Sequence, residues 1–131
     1  MRSEDFDFYE RSAGESADHS STLAVVNHRL FEGEALDGVY RGRPPGIGFL
    51  GVTNRRLIML ETSTDPQRLA LTSVPLTRVT SVAFLPTDAG ALEQATSICV
   101  KVTHVLYELN CRDHTTAREA HDLVIWRLIS G

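Results

Sequence analysis

Between Ser21 and Phe31 the apolar residues Leu23, Val26, Leu30 and Phe31 recur at spacings of three and four, with serines ahead of them as N-caps. This pattern predicts a short amphipathic helix. Gly33 and Glu34 interrupt it, and from Ala35 onward the period changes to two. Short runs rich in Val, Ile, Leu, Thr, Phe or Tyr predict strands at Ala35–Arg41, Gly48–Thr53, Arg56–Glu61, Leu69–Val74, Val79–Leu85, Ser97–Val102 and Leu106–Arg112. Between them stand Arg43-Pro44-Pro45-Gly46, Thr53-Asn54, Thr64-Asp65-Pro66, Leu76-Thr77, Pro86-Thr87-Asp88-Ala89-Gly90 and Thr103-His104, all turn signals. Connections this short join antiparallel neighbours, because a parallel pair needs a crossover of a dozen or more residues.

In the Ser97–Arg112 hairpin, alternation puts Ile98, Val100 and Val102 on one face with Tyr107, Leu109 and Cys111 as partners. Cys99, Lys101, Glu108 and Asn110 face the other way, so one side of this sheet is wet. The run Leu57-Ile58-Met59-Leu60 is apolar on both faces. Its strand is therefore either central or covered by another element, and period alone does not choose between these.

The last segment returns to a helical period. Thr116 and Glu119 match a capping box, which predicts a helix from about Ala117 to Ile129. Ala117, Ala120, His121, Val124, Ile125 and Leu128 form one apolar stripe that can lie against a sheet. Leu123 and Trp126 fall on the other side, beside Glu119 and Asp122, and make the candidate interface. A tryptophan with an aliphatic neighbour is the residue type most enriched at interaction hot spots. The alternatives are that an N-terminal segment of the same chain covers this face, or that Trp126 lies flat against the surface.

A chain of 131 residues has the size of one domain, and its 42% hydrophobic and 23% charged content is enough to build a core. The division expected is a flexible acidic leader over 1–20 and a single domain over 21–131. Within the leader, Phe6, Phe8 and Tyr9 stand among acids, either as a docking segment for a partner or as a segment that folds back. The start MRSEDFDFYE lacks the basic and apolar regions of a signal peptide, and no run is long enough to span a bilayer, so the expected location is cytoplasmic. Cys99 and Cys111 on opposite faces of one hairpin agree with a reducing compartment. A net charge of −4 argues against a dedicated nucleic-acid binder.

Chemistry finds little footing. His19, His28, His104, His114 and His121 lack the close pairing of zinc ligands, so no metal or cofactor is expected. Asp113-His114 and His121-Asp122 are the near-sequence acid–base candidates, but both belong to a helix end or face. Gly46-x-Gly48-x-x-Gly51 runs from loop into strand, which fails the context of a dinucleotide signature. No catalytic residue is assigned, and the chain is read as a non-enzyme.

Leu30-Phe31-Glu32-Gly33-Glu34, the stretch from Gly48 through Thr53-Asn54-Arg55-Arg56 to Ile58, and Ser73-Val74-Pro75-Leu76-Thr77-Arg78-Val79-Thr80-Ser81-Val82 together resemble the bacterial branch of the pleckstrin-homology-like superfamily. The eukaryotic GRAM domain is similar. The resemblance covers roughly residues 30–129 and implies a mainly β fold: two orthogonal antiparallel sheets of about seven strands, capped by a C-terminal helix. It implies no chemistry. Relatives bind phosphoinositide head groups, peptides or other subunits. The Lys-x(n)-Arg-x-Arg pattern of inositol-phosphate binders is only partly present, as Arg41-Gly42-Arg43 without a preceding lysine. Arg41, Arg43, Arg55 and Arg56 are the candidate anion-binding set if their two loops share one end of the barrel. The leading expectation is therefore a protein-interaction or self-assembly module whose partner is a protein or a second copy. Its rival is a peripheral membrane domain reading anionic lipid head groups.

Overall fold

The computed structural model describes residues 24, 26–62, 69–86 and 90–130. The expected leader, with Phe6, Phe8 and Tyr9, lies outside the described residues, as do Leu23, the Thr64-Asp65-Pro66 turn and residues 87–89. Seven strands follow in order: β1 (Leu36–Arg41), β2 (Phe49–Thr53), β3 (Arg56–Thr62), β4 (Leu69–Pro75), β5 (Val79–Leu85), β6 (Ser97–Val102) and β7 (Val105–Asn110). A 17-residue helix, α1 (His114–Ser130), follows β7. All pairings are antiparallel, in a four-stranded sheet ordered β1-β2-β3-β4 and a three-stranded sheet ordered β5-β6-β7.

The doubly apolar run in β3 belongs to a strand that is both central and covered. Leu57 and Met59 point to the main core, together with Leu50, Val52 and Val74 of the same sheet and Ile98, Val100 and Leu109 of the other. Ile58 and Leu60 point outward into a second cluster with Leu36, Val39 and Phe49, sealed by Val26 and Leu30. Leu36 and Val39 are three apart and in a regular strand would face opposite ways. A bulge between Leu36 and Gly38 brings both to the outer face.

The segment over this outer cluster is helical at residues 24 and 26–28. Its last helical residue is His28, short of the helix end expected at Phe31. Val26 is 2% exposed and packs as predicted, whereas Phe31 is 70% exposed. The physical reason is a turn after Arg29, in which the Phe31 N–H donates to Glu34 Oε1 at 3.0 Å.

The β6–β7 hairpin follows its predicted alternation, with Ile98 opposite Leu109, Val100 opposite Tyr107 and Cys99 opposite Glu108. The β1–β2 loop extends this sheet by lying along the β7 edge. The Arg43 N–H donates to Asn110 O and the Ile47 N–H to Glu108 O, both at 2.9 Å. Gly46 makes the approach possible, because a Cβ there would overlap the Glu108 carbonyl oxygen.

The helix begins a turn earlier than its expected start at Ala117. Its cap is Asp113, whose Oδ1 accepts the Thr116 N–H at 2.8 Å, so Thr116 occupies the third helical position and not the cap. The backbone bond from Thr116, followed by its side-chain bond, holds the Asp113 carboxyl below the usual range. Ala117, Ala120 and Val124 are fully buried against the sheets. The two alanines let the helix axis come close, and Arg127 anchors the far end by pairing with Asp37 of β1 (Nε to Oδ2, 2.6 Å). No helix among the described residues is long and apolar enough to cross a membrane.

Candidate functional site

The outer face of α1 carries the first candidate surface. Trp126 is 57% exposed and Ile129 74%. They are three residues apart, so they share one side of the helix. Leu123 differs from its expected place on this face: it is half-buried and packs against the main core. The reason lies across the interface in β1. Gly38 has no side chain, and Leu123 Cδ2 occupies the space a Cβ there would need, beside the Tyr40 ring. His121 sits at the margin of the core stripe, stacked on Phe84 at 4.2 Å with its Nδ1 3.0 Å from Asp122.

The candidate arginines do not converge. Arg41, opposite Phe49, and Arg43 lie at the start of β2, whereas Arg55 and Arg56 follow its end, where Thr53 pairs with Leu36. Successive hairpin loops occupy opposite ends of an antiparallel sheet, and a five-residue strand separates them by roughly 17 Å. Arg43 and Arg55 are exposed and Arg41 is half-buried.

Arg56 is committed to the structure. Its Nε donates to Glu34 Oε2 at 2.8 Å and its Nη2 to Glu34 Oε1 at 3.2 Å, a two-pronged pairing with a carboxylate whose side chain is fully buried. Its Nη1 donates to Ser73 Oγ, its Nη2 also reaches Arg29 O, and its guanidinium lies 5.1 Å above the Phe31 ring. The Thr53 hydroxyl donates to Glu34 Oε2 at 2.8 Å. Burial alone would raise the Glu34 carboxyl, but the bonds from Arg56, Phe31 and Thr53 outweigh it and leave its pKa below the ordinary value. Asn54 completes the clamp, accepting the Ala35 N–H and donating to Gly33 O. The Thr53-Asn54-Arg55-Arg56 stretch thus ties β2–β3 to the chain before β1.

Sequence reasoning did not find the groove beside this clamp. Its lining includes His28, Arg29, Phe31 and Arg56 on one side and Val26, Ile58, Leu71 and Ser73 on the other. In the sequence pattern Phe31 is one of the apolar positions of the first helix, and Leu71 a residue of the Leu69–Val74 strand.

The thiols are poor nucleophiles. Burial, and then the neighbouring Asp113, push Cys111 up to about 11, and burial with Glu108 raises Cys99. Both cysteines are free. Among the described residues no group of three or more His, Cys, Asp or Glu is placed to hold a metal ion.

No protein-family model and no curated protein sequence matches the chain. Solved structures do. A DUF1696-family protein with a pleckstrin-homology domain from Shewanella loihica PV-4 superposes with a TM-score of 0.57 at 14% identity, over 86% of this chain and 99% of that one. The pleckstrin homology domain from Shewanella amazonensis SB2B gives 0.61 at 14% identity, over 83% and 96%. The fold is pleckstrin-homology-like. The linker-DH/PH domains of p115-RhoGEF give 0.55 at 15% identity over 89% of this chain, which spans only 35% of that structure.

Proposed function

We propose that this pleckstrin-homology-like chain is a non-enzymatic, cytoplasmic interaction module that docks a protein through the outer face of α1. The exposure of Trp126 and Ile129 on a helix whose other side is fixed to both sheets carries the reading. A large aromatic left in water on a rigid element is a preformed anchor, and binding it to an apolar partner surface orders little else. A second copy of the chain is the simplest partner, because a two-fold axis through this face sets Trp126 and Ile129 against their own counterparts.

Light scattering over a range of concentrations tests this. The expected result is an apparent mass that rises above the 14.5 kDa of the monomer with concentration in the wild type and stays at the monomer mass in Trp126→Ala/Ile129→Ser. A wild type monomeric throughout removes the second copy as partner, and association indifferent to the double substitution moves the interface elsewhere. The rival reading, an anionic lipid head-group domain, requires a convergent basic surface to overcome the net charge of −4. With its arginines split between two ends of β2, the chain is expected to stay in the supernatant when anionic vesicles are sedimented at moderate salt. Retention lost in Arg41→Ala/Arg43→Ala would instead make the lipid head group the ligand.

A further inference from the structure

The outer face of the four-stranded sheet is not fully covered. The helical turn over it buries Ile58 and Leu60, but β4, at the edge of the sheet, leaves Leu71 40% and Leu69 51% exposed on that side. Between the turn and β4 lies a cleft of ≈ 270 Å³ lined by Val26, Arg29, Arg56, Ile58, Leu71 and Ser73. A second, of ≈ 650 Å³, is lined by Ala24, His28, Arg29, Phe31 and Arg56. The two share Arg29 and Arg56, and Arg56 Nη2 donates to Arg29 O, so they form one groove with both arginines in its lining. Its lining mixes the apolar Val26, Ile58 and Leu71 with the exposed Arg29, and one end is the exposed Phe31 ring.

A ligand suited to this groove alternates acid and aromatic groups. The chain's own residues Glu4-Asp5-Phe6-Asp7-Phe8-Tyr9-Glu10 do so. We propose that this segment of the same chain docks in the groove, with its carboxylates at the exposed Arg29 and its aromatic rings against Phe31 and Leu71. The described chain reaches the groove at Ala24, one of its lining residues, so the connecting residues 11–23 start at the site. At up to about 3.3 Å per residue they span well beyond its length. Charge also discriminates between the apolar surfaces available. Beside Trp126 the segment would bring its acids against Glu119 and Asp122, whereas in the groove it meets Arg29 and His28, the charge of Arg56 being balanced by the buried Glu34. The inference is independent of the role proposed for α1.

The test uses the full chain. Backbone amide shifts of Phe31, Leu71 and Ser73 are compared among the wild type, Phe6→Ser/Phe8→Ser/Tyr9→Ser and the exposed charge reversal Arg29→Glu. Docking predicts that both variants displace these three resonances in the same direction, and that 0.5 M salt moves the wild type toward them. It also predicts nuclear Overhauser contacts from the Phe6 or Phe8 ring to the Leu71 methyls. Groove resonances unchanged by the triple substitution overturn the proposal. So do ring contacts seen only between labelled and unlabelled molecules in a mixed sample, because they make a second copy the occupant.

Discussion

At the scale of single residues, the most consequential feature is a buried carboxylate shared among three partners. Glu34 satisfies Arg56, Thr53 and the Phe31 N–H at once, and removing its charge leaves the Arg56 guanidinium half-desolvated. Breaking a buried pair from one side costs about 3–5 kcal/mol. The open edge of Arg56 places Glu34→Gln near the lower end, at about 3 kcal/mol by urea denaturation at pH 7. Because the folded carboxyl titrates below its ordinary value of 4.5, its contribution is complete above that value and is lost as the pH falls through the lower folded pKa. Asp113 acts in the same direction but is solvated, and it is retained in the variant. Wild-type stability is therefore expected to decline more steeply than that of Glu34→Gln below about pH 4.5. Parallel declines would show that the pair is not stabilising.

At the scale of the element, α1 separates packing from display within three residues. Val124 is fully buried, and Val124→Ala removes methyls from a site hemmed in by both sheets. The expected loss is about 2–3 kcal/mol in thermal or chemical unfolding. Trp126→Ala, on the opposite side, is expected to change monomer stability by no more than about 0.5 kcal/mol. The reverse order of the two effects would mean that the helix is rotated about its axis. The Arg127–Asp37 pair argues against such a rotation, because it fixes the helix azimuth relative to β1.

At the scale of the whole molecule, one sheet separates two apolar clusters, and the smaller depends on a chain segment outside the barrel. Val26 and Leu30 are the only residues from before β1 in that cluster among the described residues. Val26→Asp places an unpaired charge where the wild-type side chain is 2% exposed, a substitution that undocks the segment before it melts the barrel. The expected result is increased fluorescence of a hydrophobic dye and a lowered melting temperature, with far-ultraviolet β signal retained. Unchanged dye binding and melting temperature would show that the segment does not seal the cluster.

The chain pattern by itself determined the number and places of the strands, the faces of the β6–β7 hairpin and the presence of a terminal helix. Each of these is a local property: alternation sets a strand's two faces, and turn residues end it, whatever the rest of the chain does. The tertiary structure decided what depends on partners distant in sequence. Arg56 became a structural side chain because Glu34, 22 positions away, reaches it. Leu123 turned inward because Gly38 on β1 leaves a vacancy that only the docked helix can fill. Phe31 was left in water because a local turn bent the chain off its helical course, and its ring then became one end of a groove assembled from the helical turn, β3 and β4. Periodicity reports which way a side chain points within its own element; it carries no information about whether another element arrives to cover it.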